Sequence, residues 1–310
     1  MKTIAIIIPA YNEERNVPLI HQDLRNVLKT LEDTYTFDIT FVNDGSSDST
    51  WAAIESVVKA DKHAHGISLS RNFGHQVAIE AGLDRADADA VIMMDCDGQH
   101  PAKLLPSMIE KWEHGALIVN TVRKDTIGAS FFKKITATMF YGLINKFSET
   151  KIEPGSADFR LIDRKIVQVL KTLPEKVKFY RGLISWIGFE PVNIEYVAQE
   201  RWNGASSYTL LKLYKLATDG LTGFSSFPLK FAKYIGLTTV SLRVIGLIAM
   251  LALDLLKHTY FPVWVYLIVL LFLMNGLQFV VLWFIGSYIG RIYNQQKDRP
   301  PYLIRDTLNV

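Results

Sequence analysis

Short apolar runs and helical periodicities alternate along the N-terminal part of the chain. Runs at Ile4–Ile8, Ile39–Val42, Gly66–Leu69 and Ala90–Met94 read as strands. Between them, apolar positions recur at helical spacing over Val17–Leu31, Ser49–Ala60, His75–Asp84 and Pro101–His114. The alternation predicts an α/β domain with a mostly parallel sheet and helices on both faces, in which ligands gather beyond the carboxyl ends of the strands. Polar clusters fall at those ends: residues 9–14 (PAYNEE), 43–46 (NDGS), 70–74 (SRNFG) and 95–99 (DCDGQ). Taken singly, such clusters are turn chemistry, and Ser49 or Asp48 would simply cap the next helix. Their recurrence after four strands points to one ligand site.

The pattern changes towards the C-terminus. Phe261 to Gly290 contains no charged residue, and a helix of that length, at about 1.5 Å per residue, more than covers a hydrocarbon core of about 30 Å. Ile235–Leu256 is also long enough, with Arg243 inside it and Asp254 near its end, and only Lys257-His258-Thr259-Tyr260 separates the two stretches. The expectation is a transmembrane hairpin with helices at about 235–256 and 262–288. The alternative, a buried hairpin of a soluble protein, would need a polar face that the second stretch lacks. Lys230 and Lys233 precede the first span, and Arg291, Lys297, Arg299 and Arg305 follow the second, against Lys257 between them, which places both termini in the cytoplasm. Trp264, Tyr266, Trp283 and Tyr288 suit the interfaces. The expected domains are a catalytic unit over 1–228, the hairpin within 229–290 and a tail over 291–310.

Composition narrows the chemistry. The 310 residues carry a net charge of +3 and a pI of about 8.7, too mild for nucleic-acid binding, and no basic run tracks a phosphate backbone. Mean hydropathy is +0.14, lifted by the C-terminal stretches. Cys96 stands alone, which excludes an intramolecular disulfide and a thiolate metal site and fits a reducing compartment. Ile4–Ile8 is too brief for a signal-peptide core, so no secretory leader is expected. No P-loop, dinucleotide glycine fingerprint or Gly-x-Ser-x-Gly elbow follows a strand. His75, His100 and His114 read as surface or turn residues.

Asp95 and Asp97 are two apart on an extended segment, so both carboxylates face one side and can hold one divalent cation, leaving positions for phosphate oxygens. An isolated Asp-x-Asp is also ordinary turn chemistry. Its place after a buried run favours the functional reading.

PAYNEE (9–14), VNDGSSDST (42–50), LSRNFGHQ (69–76), MDCDGQHP (94–101), ADFRLIDR (157–164), YRGLISWIG (180–188) and ERWNGASSY (200–208) followed by DGLTGFSSFPL together resemble glycosyltransferase family 2 enzymes acting on polyprenyl phosphates. Bactoprenol glucosyltransferases and, more distantly, dolichol-phosphate mannose synthase are of this type. The resemblance covers nearly the whole chain. It implies a GT-A nucleotide-sugar fold with Pro9, Tyr11, Glu13 and Asp44 in the nucleotide pocket. It also implies Asp95, Asp97 and Gln99 around Mg2+ or Mn2+ and the diphosphate, Arg123 facing phosphate, Arg201 in a loop closing the site, and Asp158 as the family's proposed base.

A phosphate monoester is already anionic near neutral pH and needs little base catalysis, so Asp158 would rather position the acceptor. Alternatively it caps a helix or pairs with Arg160 or Arg164. The chain departs from relatives at Asn203 and Ser207, which shifts a phosphate contact to Lys212, Lys215, Lys133 or Lys134. Phe131–Phe147 and Tyr208–Leu221 fit either a helix lying on the bilayer or one packed on the sheet.

The resulting expectation is inverting transfer of a sugar, UDP-linked and for instance glucose, to a polyprenyl phosphate at the cytoplasmic face of the inner membrane. The enzyme would be multi-pass, and Arg243 would pair across a homo-oligomer contact between spans. The competing readings are a catalytically silent nucleotide-sugar-binding scaffold and a polysaccharide-extending transferase, for whose export channel two spans are too few.

Overall fold

The computed structural model describes residues 1–124, 156–175, 178–199, 201–202 and 262–309, together with 238, 241, 245, 248 and 249. Apart from those five positions the predicted first span lies outside the described residues, as do Arg243, Phe131–Phe147, Tyr208–Leu221, Asn203, Ser207 and the four substitute lysines. The described residues through Trp202 and from Arg299 onward belong to one compact unit, and the last helix belongs to a second.

The first unit opens as predicted. Strands β1 (Lys2–Ala10), β2 (Tyr35–Asn43), β3 (Ala64–Leu69) and β4 (Ala90–Met93) alternate with helices α1 (Asn16–Leu28), α2 (Thr50–Ala60), α3 (His75–Arg85) and α4 (Leu105–Glu113), the last preceded by a single 3-10 turn, Ala102–Leu104. Beyond these come β5 (Ile118–Arg123), β6 (Ser156–Asp163), α5 (Arg164–Thr172), α6 (Tyr180–Trp186), β7 (Val192–Tyr196), α7 (Val263–Gln296) and β8 (Ile304–Leu308). One eight-stranded sheet results, in the order β7-β5-β6-β4-β1-β2-β3-β8. β1 pairs in parallel with β2 and β4, and β2 with β3. β6 enters antiparallel between β4 and β5, and β8 runs antiparallel along β3.

The central strands are covered on both faces. Ile4, Ile6, Ile7 and Ile8 are fully buried, and a buried side chain of this size contributes roughly 1.5–3 kcal/mol. α3 packs so closely on β1 that a side-chain carbon at Gly82 would overlap Ile7. β1, β2, β3 and β4 all run parallel, so the loops after them share one rim. β8, drawn from the expected tail, gives β3 a partner where it would otherwise be an edge.

α7 is continuous over 34 residues, a length of about 50 Å, and Trp264, Phe279 and Trp283 on it are exposed. Among the described residues no helix is long and apolar enough to cross a membrane.

Candidate active site

Three rim loops are tied to one another by short polar contacts. Asn12, at φ 57°, donates its amide to Ser46 Oγ (3.0 Å) and accepts from the Ser47 amide (2.9 Å). The Glu13 amide donates to Thr50 Oγ1 at 2.8 Å. Asp48 accepts from both the amide and hydroxyl of Thr50, the first residue of α2, which is the turn chemistry expected there. Asp44 is buried beyond β2, where it accepts from the amides of Phe73 (2.7 Å) and Gly74 (2.9 Å). Burial pushes its carboxyl up, and those two amides hold it partly down. Gly45 sits at φ 61° directly under the Arg71–Asn72 backbone, where no side chain fits. The Asn-Asp-Gly-Ser segment is therefore a clamp on the β3–α3 loop.

The acidic segment after β4 occupies the centre of the rim. The Asp95 amide donates to His100 Nδ1 at 2.9 Å, which leaves the ring proton on Nε2, 3.6 Å from Asp95 Oδ2. His100 is buried and stacked on Phe159 at 5.0 Å, and burial lowers its pKa. Asp97 accepts the Gln99 amide at 3.0 Å, and its other oxygen lies 3.3 Å from Arg201 Nη2. The same guanidinium nitrogen donates to Glu13 Oε1 at 3.2 Å. Glu13 is pushed up by burial, with Asn16 and Arg201 opposing. Gly98, at φ 79°, is roofed by the Trp202 indole, and the Trp202 amide donates to the Asp97 carbonyl.

A second charged group stands beside this one. Asp158 on β6 accepts a bidentate pair from Arg181 on α6, Nε at 2.8 Å and Nη2 at 2.9 Å. Gln76 Nε2 donates to it at 3.4 Å, and the Gln76 carbonyl in turn receives the Tyr180 amide at 3.0 Å. Burial opposes the charge on Asp158, but Arg181 outweighs it, and the carboxyl sits well below its usual range. His75 links the two groups: its Nε2 lies 3.5 Å from Asp95 and 3.7 Å from Asp158. Burial works against protonating His75, yet the side chain keeps 36% of its surface, and the two carboxylates push it up to about 9.

Glu13, Asp44, Asp95, Asp97, Asp158 and Arg201 converge on the rim. Pro9 is buried at the end of β1, and Tyr11 is exposed on the loop after it. Arg123, at the end of β5, donates to Gln99 Oε1 at 3.4 Å. Asp158 does not cap a helix. Arg160 approaches it only to 3.9 Å, and Arg164 pairs with Asp87 instead. His75 and His100, read from the sequence as turn or surface residues, belong to the rim, whereas His114 is exposed on its own turn. Arg181, Gln76 and Trp202 were not singled out, although all three fall inside the quoted motifs. Among the described residues no three His, Cys, Asp or Glu side chains form a metal cluster.

The glycosyl transferase family 2 pattern matches residues 5–170. An uncharacterized glycosyltransferase of Bacillus subtilis, YkcC, is 40% identical over 99% of this chain and 94% of its own length. The bactoprenol glucosyl transferase of Shigella phage SfV is 39% identical over 98% of both chains. A mycobacterial protein of known crystal structure shares the fold at 15% identity and a TM-score of 0.50, over 71% of this chain and 72% of its own.

Proposed function

The chain belongs to glycosyl transferase family 2 and is a glycosyltransferase of the α/β GT-A fold, and we propose that it transfers glucose from UDP-glucose to a polyprenyl phosphate at the cytoplasmic face of a membrane. Bactoprenol glucosyl transferases aligned over almost the full chain support the acceptor and the sugar. The observation that carries the reading is the bridge at His75, which joins the Asp95–Asp97 rim to the Asp158–Arg181 pair. One group handles a leaving diphosphate, and the other an arriving phosphate.

Asp95 and Asp97, with the Gln99 carbonyl, offer hard oxygen donors in a number too small to enclose an ion, which fits Mg2+ or Mn2+ completed by phosphate oxygens. The ion, when bound, neutralises charge on the diphosphate. Glu13 and Asp44 hold the nucleotide end, with Pro9 and Tyr11 beside them. Arg201, placed between Glu13 and Asp97, follows the diphosphate as it departs, and Arg123 assists through Gln99. The acceptor's phosphate oxygen attacks the anomeric carbon directly. The carbon–oxygen bond to UDP breaks with its electron pair on the phosphate, and configuration inverts.

Asp158 takes no proton in this scheme. Held ionised by Arg181, it is a weak base, and the acceptor already carries its charge. Its part is to hold Arg181 through Nε and Nη2, which fixes that positive charge beside the arriving phosphate.

A membrane anchor of two spans is part of the proposal. β1 and β8 belong to one sheet, so the chain between them crosses a bilayer an even number of times. Ile235–Leu256 and the charge-free stretch Phe261–Gly290 are the two stretches the sequence offers for those crossings.

The test is transfer of label from UDP-glucose, UDP-galactose, UDP-N-acetylglucosamine and GDP-mannose to undecaprenyl phosphate in membranes containing the protein. Labelled lipid is expected from UDP-glucose, in the presence of Mg2+ or Mn2+. Nucleotide-sugar binding without labelled lipid from any donor would overturn the proposal.

A further inference from the structure

The segment after α7 does more than complete the sheet. The Leu303 carbonyl accepts the Ser70 amide at 2.9 Å, and the neighbouring Tyr302 hydroxyl donates to Asp84 at 2.8 Å. Ser70 is the first residue of the loop whose Phe73 and Gly74 amides hold Asp44. Asp84 lies in the last turn of α3, the helix whose first residues are His75 and Gln76. Two consecutive residues near the C-terminus thus hold both sequence ends of the segment that carries three groups of the rim. Beyond them β8 registers along β3 from Ile304 opposite Leu69 to Leu308 opposite Gly66, with an irregularity at Ser68–Leu69. At its far end Asn309 donates to the Ala64 carbonyl at 3.3 Å. A loop held only at Asp44 would hang from an unpaired edge strand, and edges are the loosest part of a sheet.

We propose that Tyr302 and Leu303 are a positioning strap for loop 70–74 and the start of α3, so that the nucleotide pocket is complete only when the chain beyond the last hydrophobic helix has returned to the sheet. The inference rests on the nucleotide-sugar reading of the rim. It makes substrate binding depend on the final segment of the chain.

The test compares full-length Tyr302→Phe and Leu308→Ala with the wild type, measuring UDP affinity, UDP-glucose KM and melting temperature in detergent. Both variants remove contacts made by the same C-terminal segment, but Leu308 meets the opposite end of β3. Tyr302→Phe is expected to weaken UDP binding and raise KM at least fivefold. Leu308→Ala is expected to lower the melting temperature while leaving both constants within twofold of wild type. A chain ending at Asp298 should lose UDP binding and regain it on addition of a peptide of residues 299–310, but not of a scrambled peptide. Equal constants for Tyr302→Phe and wild type, or parallel losses in the two point variants, would overturn the strap. Absence of UDP binding by the wild type would overturn the underlying reading instead.

Discussion

Asp158 accepts two parallel N–H bonds from Arg181, and that geometry decides what its substitution does. Asp158→Asn keeps the shape but leaves the guanidinium without its countercharge, a change that costs roughly 2–5 kcal/mol for a buried hydrogen-bonded pair. The expected loss in kcat/KM for the lipid acceptor is therefore about a hundredfold or more, read by steady-state kinetics with donor saturating. The pH profile separates positioning from proton abstraction. The folded-state pKa of Asp158 is depressed, so the group is ionised well below neutrality and should add no limb to the rate between pH 5 and 8. An activity that rises across that window and loses its rise in Asp158→Asn would identify a base.

Arg181→Lys supplies charge without the planar fork and should raise the acceptor KM about tenfold at unchanged donor KM. Asp44, Asp95 and Asp97 were legible in the sequence because they follow apolar runs, whereas Asp158 was reached only through the family resemblance. Arg181 was not, because its partner is 23 residues away and only the packing of α6 beside β6 brings them together.

At the scale of elements, the rim depends on backbone positions that only glycine fills easily. Gly45→Ala combines a left-handed φ with overlap against Arg71 and Asn72, and should cost about 1–3 kcal/mol together with a measurable loss of UDP affinity. Away from the rim, Asp61 joins α1 to α2 by accepting from Arg25 at 2.6 Å, with His21 at 2.8 Å. Burial raises its pKa, but Arg25 and His21 prevail and depress it. A depressed carboxyl stabilises the fold above its unfolded value of about 4 and loses that contribution as pH falls through the folded value. Asp61→Asn should cost about 2 kcal/mol at pH 7 and flatten the acid limb of a stability profile below pH 4.

The first four strands were readable because each contains a short apolar run in a doubly covered sheet. β5 and β6 carry Asn120, Thr121, Asp158 and Arg160, polar groups that the site places in buried strands, and these break the pattern. β8, with Arg305 and Asp306 exposed on an edge strand, has the composition of a tail, and its pairing with β3 is a long-range choice that no local pattern records.

For the whole molecule, the sheet that contains both β1 and β8 constrains the proposed membrane topology. A cysteine at Thr259, between the two hydrophobic stretches, is expected to react with an impermeant thiol reagent added outside intact cells, while one at Thr307 reacts only after lysis. Native Cys96 is buried and should give little background. Labelling of both positions from the same side would remove the two-span anchor. The hydrophobic stretches were the easiest feature to see in the sequence, and the shared sheet adds that both flanks of the proposed anchor lie on one side.

The measurement that bears most directly on the central claim is the chemical structure of the lipid product formed from UDP-glucose, determined by mass spectrometry and NMR. One glucose joined to the polyprenol through a single phosphate, with the anomeric configuration inverted relative to the donor, is the predicted result. A lipid bearing a sugar chain, a retained configuration, or free glucose with no glycolipid would contradict it.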